Sequence, residues 1–374
     1  MHPFLPDAEK VAAMRALLPA TGAGIYLDTA SAGPVLAETD RALREADDHA
    51  LRVGRGGPDH PADAAWRREE AAGVLAAVLG TDPAAVVPGR GLRALACAVH
   101  DALGRGPLAV HPGCDPAVVG ALRARGGTVL ATADGGALPD PARGATVVAP
   151  LVDARTGAAV GVAALADRVR AGGGRLVCDA TLAAGVRPLV ADTLGADALL
   201  LATDRWLLGP DGSAAAWLAP AHGPAARTML AALADPLPRR DALGLARSAG
   251  WLLMYAGLPW VHARTQAAAA RLHAALAGLP GVRLAAPEGP GGALVVLAIA
   301  GWDAEAAADA LGQRVFAIVG RDADAGTIHA AAGAWTTDAE IDRFAAAVAE
   351  LAAHTPETLP RRAPLVVFTE GSHG

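Results

Sequence analysis

The segment Ala198-Leu199-Leu200-Leu201-Ala202-Thr203-Asp204-Arg205-Trp206-Leu207-Leu208-Gly209-Pro210-Asp211-Gly212 runs from an unbroken apolar stretch into a charged turn. An apolar run without polar alternation predicts a strand covered on both faces, as in a parallel sheet. Upstream the same pattern recurs at Ala85-Val86-Val87, Leu108-Ala109-Val110, Thr128-Val129-Leu130, Thr146-Val147-Val148-Ala149 and Leu176-Val177-Cys178. Helical stretches such as Pro116–Arg125 and Val162–Ala171 lie between these runs. Strands spaced by helices predict a doubly covered, largely parallel sheet. A ligand would sit at the loops leaving the C-terminal ends of its strands.

Towards the N-terminus, the first residues predict a helix ending near Pro19, and Ile25-Tyr26-Leu27 a short strand. That strand enters the turn Asp28-Thr29-Ala30-Ser31-Ala32-Gly33-Pro34. Glu38–Val53 and Ala62–Leu79 read as helices, the second starting near Pro61 or Asp63 and closed by Gly80. Downstream, Ala234-Asp235-Pro236-Leu237-Pro238-Arg239-Arg240 is a proline-rich, charged break. A helical stretch from Asp241 to Leu279 follows, interrupted at Gly257-Leu258-Pro259. Val282–Ala285, Ala293–Ile299 and Val315–Val319 read as strands, Asp303–Leu311 and Asp338–Ala352 as helices. The expected organisation is an N-terminal arm (1–24), a large domain (25–235) and a small α+β domain (236–374), with a frayed tail from Pro360. The spacing of Trp251, Tyr255 and Trp260 suits a core or a dimer interface.

Composition narrows the function. Of 374 residues, 53% are hydrophobic and 19% charged, which suffices for a large core. The net charge of -6, without a basic stripe, argues against nucleic acid as a partner. No apolar run reaches the roughly 18 residues of a membrane helix. The three cysteines, Cys97, Cys114 and Cys178, lack metal-ligand spacing and suit a reducing cytoplasm. Scattered histidines such as His60, His100 and His262 offer no metal motif, so no metal is expected. The chain has no asparagine, and among its 32 lysine and arginine residues Lys10 is the single lysine.

Three segments carry a resemblance. They are Ile25-Tyr26-Leu27-Asp28-Thr29-Ala30-Ser31-Ala32-Gly33-Pro34; Val177-Cys178-Asp179-Ala180-Thr181-Leu182-Ala183-Ala184-Gly185 with Leu194-Gly195-Ala196-Asp197; and Thr203-Asp204-Arg205-Trp206-Leu207-Leu208-Gly209-Pro210-Asp211-Gly212. Trp335-Thr336-Thr337-Asp338-Ala339-Glu340-Ile341 is a weaker fourth. Together they resemble the class V aminotransferases, the fold type I pyridoxal-phosphate (PLP) group that includes cysteine desulfurases, isopenicillin N epimerase-like enzymes and hercynylcysteine sulfoxide lyases. The resemblance implies an aspartate aminotransferase-like α/β fold, with a mainly parallel seven-stranded sheet and a small α+β domain.

It also implies a departure in the chemistry. Where the group has the lysine that holds PLP as an imine, this chain has Arg205. A guanidinium does not lose its proton near neutral pH and cannot act as an amine nucleophile. Asp179 matches the aspartate that pairs with the pyridine nitrogen. Leu182 stands where a glutamine bonds the ring hydroxyl, and Asp115 where an aromatic or histidine stacks on the ring. The phosphate turn matches Gly89-Arg90-Gly91-Leu92-Arg93, without its hydroxyls, and the resemblance counts Thr203 with Arg90, Gly91 and Leu92 among the cofactor-binding residues. His329 replaces the substrate-carboxylate arginine.

Two expectations follow. One is a pseudoenzyme or non-catalytic subunit, pairing with itself or with an intact PLP-fold paralogue. The other is an enzyme with repurposed chemistry on an amino-acid-derived or sulfur-containing substrate. Asp179, Asp204 and His329 would then be its acid–base groups and Arg205 its anion clamp. Any PLP would be held noncovalently, or there would be no cofactor. Whether Asp115, Asp179, Asp204 and Arg205 line one cavity or close into ion pairs distinguishes the two.

Overall fold

The structure, a computed structural model, describes residues 6–104, 106–130 and 142–360. Its strands are β1 (Ile25–Leu27), β2 (Val86–Arg90), β3 (Leu108–Val110), β4 (Thr128–Val129), β5 (Thr146–Pro150), β6 (Arg175–Asp179), β7 (Ala198–Ala202), β8 (Ser213–Leu218), β9 (Val282–Leu284), β10 (Leu294–Ile299), β11 (Ala317–Asp322) and β12 (Thr327–Ala331). Seven form the larger sheet, in the order β2-β8-β7-β6-β5-β3-β4. Within it β3 to β7 are parallel, and β8 alone runs against its neighbours β2 and β7. This is the expected α/β architecture.

The apolar runs explain the sheet. Successive side chains of a strand point to opposite faces. Val147, Ala149, Leu176, Cys178, Leu199 and Leu201 therefore fill one core, and Val148, Val177, Ala198 and Leu200 fill the other. Helices cover both faces, so neither set meets water.

A second sheet has the order β1-β11-β12-β10-β9. β1 pairs in parallel with β11, so Ile25–Leu27 crosses to the sheet built by the C-terminal part of the chain. Ile25 and Leu27 pack there with Leu297, Ile328 and Phe344. The helix Arg239–Trp251 instead sends Ala242, Leu245 and Ala249 into the larger core.

Several elements differ from their sequence reading. β8 begins Ser213-Ala214-Ala215-Ala216, small residues with no branched run to announce a strand. β11 starts at Ala317 because Val315 ends the helix Ala304–Val315 and Phe316 takes a left-handed φ of 54°. The N-terminal helix is split into Asp7–Ala16 and Ala20–Ala23. The second long helix runs from His60 to Leu79 with Asp59 at its N-cap, and Gly80 closes it at a φ of 61°. Of the aromatic trio, Trp251 is buried and Trp260 partly so, but Tyr255 is 58% exposed. It lies in the π-turn Leu252–Ala256, where the wider turn breaks the helical phase that would have carried it inward. Residues 361–374 of the tail lie outside the described residues.

The last helix, Asp338–Ala352, opens with a capping box between Thr337 and Glu340. Glu340 also accepts from Arg15 Nη1 at 2.9 Å, tying the N-terminal helix to this end of the chain. Replacing Thr337 by alanine should cost about 1 kcal/mol. A lower urea midpoint with an unchanged m-value would show it.

Candidate functional site

The C-terminal ends of β3, β6 and β7 in the larger sheet, with the turn after β1, bring charge together. After β7, Asp204 is fixed by the Gly212 amide, which donates to Oδ2 at 2.8 Å. Beyond β3, Asp115 caps the helix Pro116–Ala124, its Oδ1 accepting from the Ala117 amide at 2.8 Å. Arg205 bridges these two aspartates. Its Nη2 lies 3.3 Å from Asp115 Oδ2 and its Nε 3.3 Å from Asp204 Oδ1. The three side chains are only 17%, 9% and 17% exposed (Arg205, Asp115, Asp204).

Asp179, at the end of β6, lies beneath this bridge in hydrogen-bond sequence. Its Oδ2 accepts from the Asp115 amide at 2.7 Å and its Oδ1 from the Thr181 amide at 2.9 Å. Burial, and then the charge of Asp115, push the Asp179 carboxyl above its ordinary range. Burial also raises Asp204, against the pull of the Gly212 amide and Arg205.

A fourth carboxylate comes from the turn after β1. The Gly33 amide donates to the Asp204 carbonyl at 2.7 Å, and a Cβ on Gly33 would strike the Arg205 carbonyl oxygen. Glycine is required by that close approach. The same turn carries Asp28, whose buried Oδ1 has no hydrogen-bond partner. Burial raises this carboxyl too, against Ser31 and the charges of Arg205 and Arg321. His329, on β12, flanks Asp28 across Gly320, where a Cβ would lie 2.7 Å from Asp28 Oδ1 and 3.2 Å from His329 Cβ. Burial lowers the His329 pKa, Asp322 opposing, and its Nε2 sits 3.4 Å from Thr327 Oγ1.

The other sequence candidates are engaged in packing or in backbone links. Thr203 Oγ1 donates to Ser213 Oγ at 2.7 Å, and Ser213 donates to the Pro210 carbonyl at 2.6 Å. The Arg90 amide donates to the Asp235 carbonyl and the Gly91 amide to the Gly212 carbonyl, at 2.8 and 2.7 Å. Arg90 is the last residue of β2 and its side chain is exposed. Leu92 and Leu182 are buried in the two cores of the larger sheet. Thus Asp115, Asp179, Asp204 and Arg205 converge, and His329 stands apart beside Asp28.

Sequence reasoning missed the approach of Gly33 to Arg205, for which Asp28–Pro34 gives a turn but not its contact. It also missed Arg187, a half-buried guanidinium that donates only weakly, to the Leu151 and Gly291 carbonyls at 3.4 and 3.5 Å. Nucleophiles are scarce. Burial pushes the Cys178 thiol up to about 12 and raises Cys114 as well, so neither is a thiolate. Lys10 sits on the helix Asp7–Ala16 with Nζ 5.7 Å from the Trp260 ring centroid. Among the described residues no group of three or more His, Cys, Asp or Glu could hold a metal ion, and no helix is long and apolar enough to cross a membrane.

No family model matches the sequence, and no curated protein matches it. Solved structures do. A lysine-to-alanine mutant of C-DES, with glycine covalently linked to the PLP cofactor, is 15% identical at a TM-score of 0.78, covering 90% of this chain and 98% of its own. An apo cysteine desulfurase from Thermococcus onnurineus is 17% identical at 0.73, over 91% and 98%. The cysteine desulfurase CsdA from Escherichia coli is 18% identical at 0.71, over 90% and 97%. The chain therefore has the PLP fold type I architecture of the cysteine desulfurases. Its residues do not fit the cofactor well. The amides of Arg90 and Gly91 and the hydroxyl of Thr203 are already bonded, and Asp115, where the ring needs a flat partner, offers a carboxylate tied to Arg205.

Removing the bridge should be costly. Arg205→Ala leaves two largely buried carboxylates uncompensated and should lower unfolding free energy by about 3 kcal/mol. Denaturant titration reads it. The histidines give a pH signature. Burial holds His329 below its ordinary value of about 6.5, so the unfolded chain takes up the proton first. Stability from this residue is then lost as pH falls through about 6.5. His329→Gln should lose less stability than the parent between pH 7.5 and 5.5, measured by urea midpoints.

Proposed function

We propose that this chain is a non-catalytic relative of the cysteine desulfurase-type enzymes, acting as a structural or regulatory subunit. The observation that carries the reading is the placement of Arg205. It occupies the turn after β7 and is spent on Asp115 and Asp204. Read as the position of the imine-forming lysine, it supplies a permanent cation where the chemistry needs a neutral amine. No substitute is at hand: Lys10 is held over Trp260, and Cys114 and Cys178 are buried thiols.

A subunit role needs an assembly, with a second copy or an intact paralogue. Exposed apolar side chains support one: Leu51 is 85% exposed and Met254 82%, and Tyr255 lies next to Met254. The three unbridged cysteines suit a reducing compartment such as the cytoplasm. One observation favours a second reading, in which the site does repurposed chemistry. Asp204 has its pKa raised by burial, so it could carry a proton at the strand ends.

The test is to incubate the full chain with cysteine and other amino acids, with and without added PLP. Sulfide, keto acid and amino-acid loss are followed, with light scattering on the same sample. The expected result is no turnover above the protein-free control and a mass of twice the chain. Turnover abolished by Asp204→Asn would overturn the non-catalytic reading in favour of the second.

A further inference from the structure

We propose that the Arg205–Asp115–Asp204 network shuts PLP out of the pocket, so that restoring a lysine at position 205 does not bring the cofactor back. This rests on reading the site as the cofactor position of the fold. It goes beyond loss of catalysis, because an inactive chain can still bind a cofactor.

Three observations carry it. The first is charge. Asp28, Asp115, Asp179 and Asp204 gather near Arg205, which is already shared between two of them, and Arg321 adds its charge only at Asp28. A phosphate monoester brings about two more negative charges. Arg90 and Arg93 supply cations at the phosphate turn, but the strand ends that would face the ring carry carboxylates.

The second is the state of the donors. An anion at a helix N-terminus is held by open backbone amides. In the phosphate turn the amides of Arg90 and Gly91 are engaged, by Asp235 and Gly212, which leaves the first-turn amides of the helix Leu92–Ala102 to hold an anion. The nearest hydroxyl, on Thr203, is closed into the chain through Ser213 to the Pro210 carbonyl.

The third is Asp115. A pyridine ring needs a flat partner, and this side chain is spent at both oxygens, one on the Ala117 amide and the other on Arg205. Its amide also holds Asp179, the group that would pair with the ring nitrogen. That pairing needs an ionised Asp179, and burial, with the negative charge of Asp115 beside it, favours the protonated form.

A lysine at position 205 would change only one of these terms. Its ammonium would take over the pairing with Asp115 and Asp204, which keeps it protonated and non-nucleophilic.

The experiment uses the full-length protein and Arg205→Lys, each titrated with PLP to about 1 mM, a range that captures even weak binding. Visible absorbance and total tryptophan emission, to which Trp206 next to Arg205 contributes, are followed. Each sample is then reduced with borohydride and mapped by peptide mass. The expected result is no saturable change in either protein, with any reduced adduct confined to Lys10 or the N-terminal amine. Saturable binding to the unaltered chain overturns the proposal. So does an adduct at position 205 in the variant. Circular dichroism checks that Arg205→Lys is folded; if it is not, the unaltered chain decides alone. PLP binding without turnover defeats the exclusion and leaves the non-catalytic reading standing; turnover defeats that reading.

Discussion

A guanidinium taken out of water must be compensated where it stands, because it cannot shed its proton to escape the cost. Arg205 is in that position, and much of the surrounding structure answers it. Asp204 is fixed by the Gly212 amide on one side and Asp115 by its helix cap on the other. The Asp115 amide then fixes Asp179 at the end of the neighbouring strand. From below, Gly33 brings the turn after β1 against the Arg205 backbone, so the second sheet is joined to the first through the same few residues.

The same network accounts for the local chemistry. Carboxylates taken into a dry region hold their protons more tightly, and the charge of Asp115 adds to this at Asp179, while Arg205 relieves only part of the pressure on Asp28 and Asp204. Asp28, Asp179 and Asp204 are all held above the ordinary carboxylate range, burial being the largest cause in each. Such groups resemble catalytic acids in their titration, and perturbed titration is also what a structural ion-pair network produces. Here Arg205 directs Nε and Nη2 to Asp204 and Asp115, and Thr203 directs its hydroxyl to Ser213.

The fold was legible wherever strands are apolar on both faces. Leu199 to Leu201, Val147 to Ala149 and Leu176 to Cys178 announce themselves because every residue must find a core. β8 escaped notice because alanine is not a strand former by habit; its pairing with β2 and β7 overrides that preference. At the site, the identities of Asp179, Asp204 and Arg205 could be read from local motifs. The pairing of Arg205 with its neighbour Asp204 could be expected as well; its pairing with Asp115 could not, since Arg205 reaches that residue across 90 residues of sequence and the contact depends on where two loops end. Gly33 shows the same limit: a turn was foreseeable, the carbonyl pressed against it was not.

The double duty of Asp115 has an evolutionary consequence. Its carboxylate holds a helix terminus with one oxygen and a buried cation with the other. A lineage that exchanged Asp115 for a flat side chain would lose the cap and leave Arg205 without one of its partners. A lineage that exchanged Arg205 first would leave Asp115 and Asp204 unpaired in a dry site. Either order passes through a less stable ancestor, and natural chains hold only a thin reserve of stability to spend on such a step. The ion bridge thus works as a ratchet: once formed, it holds both residues in place, because neither can be exchanged alone without a loss of stability.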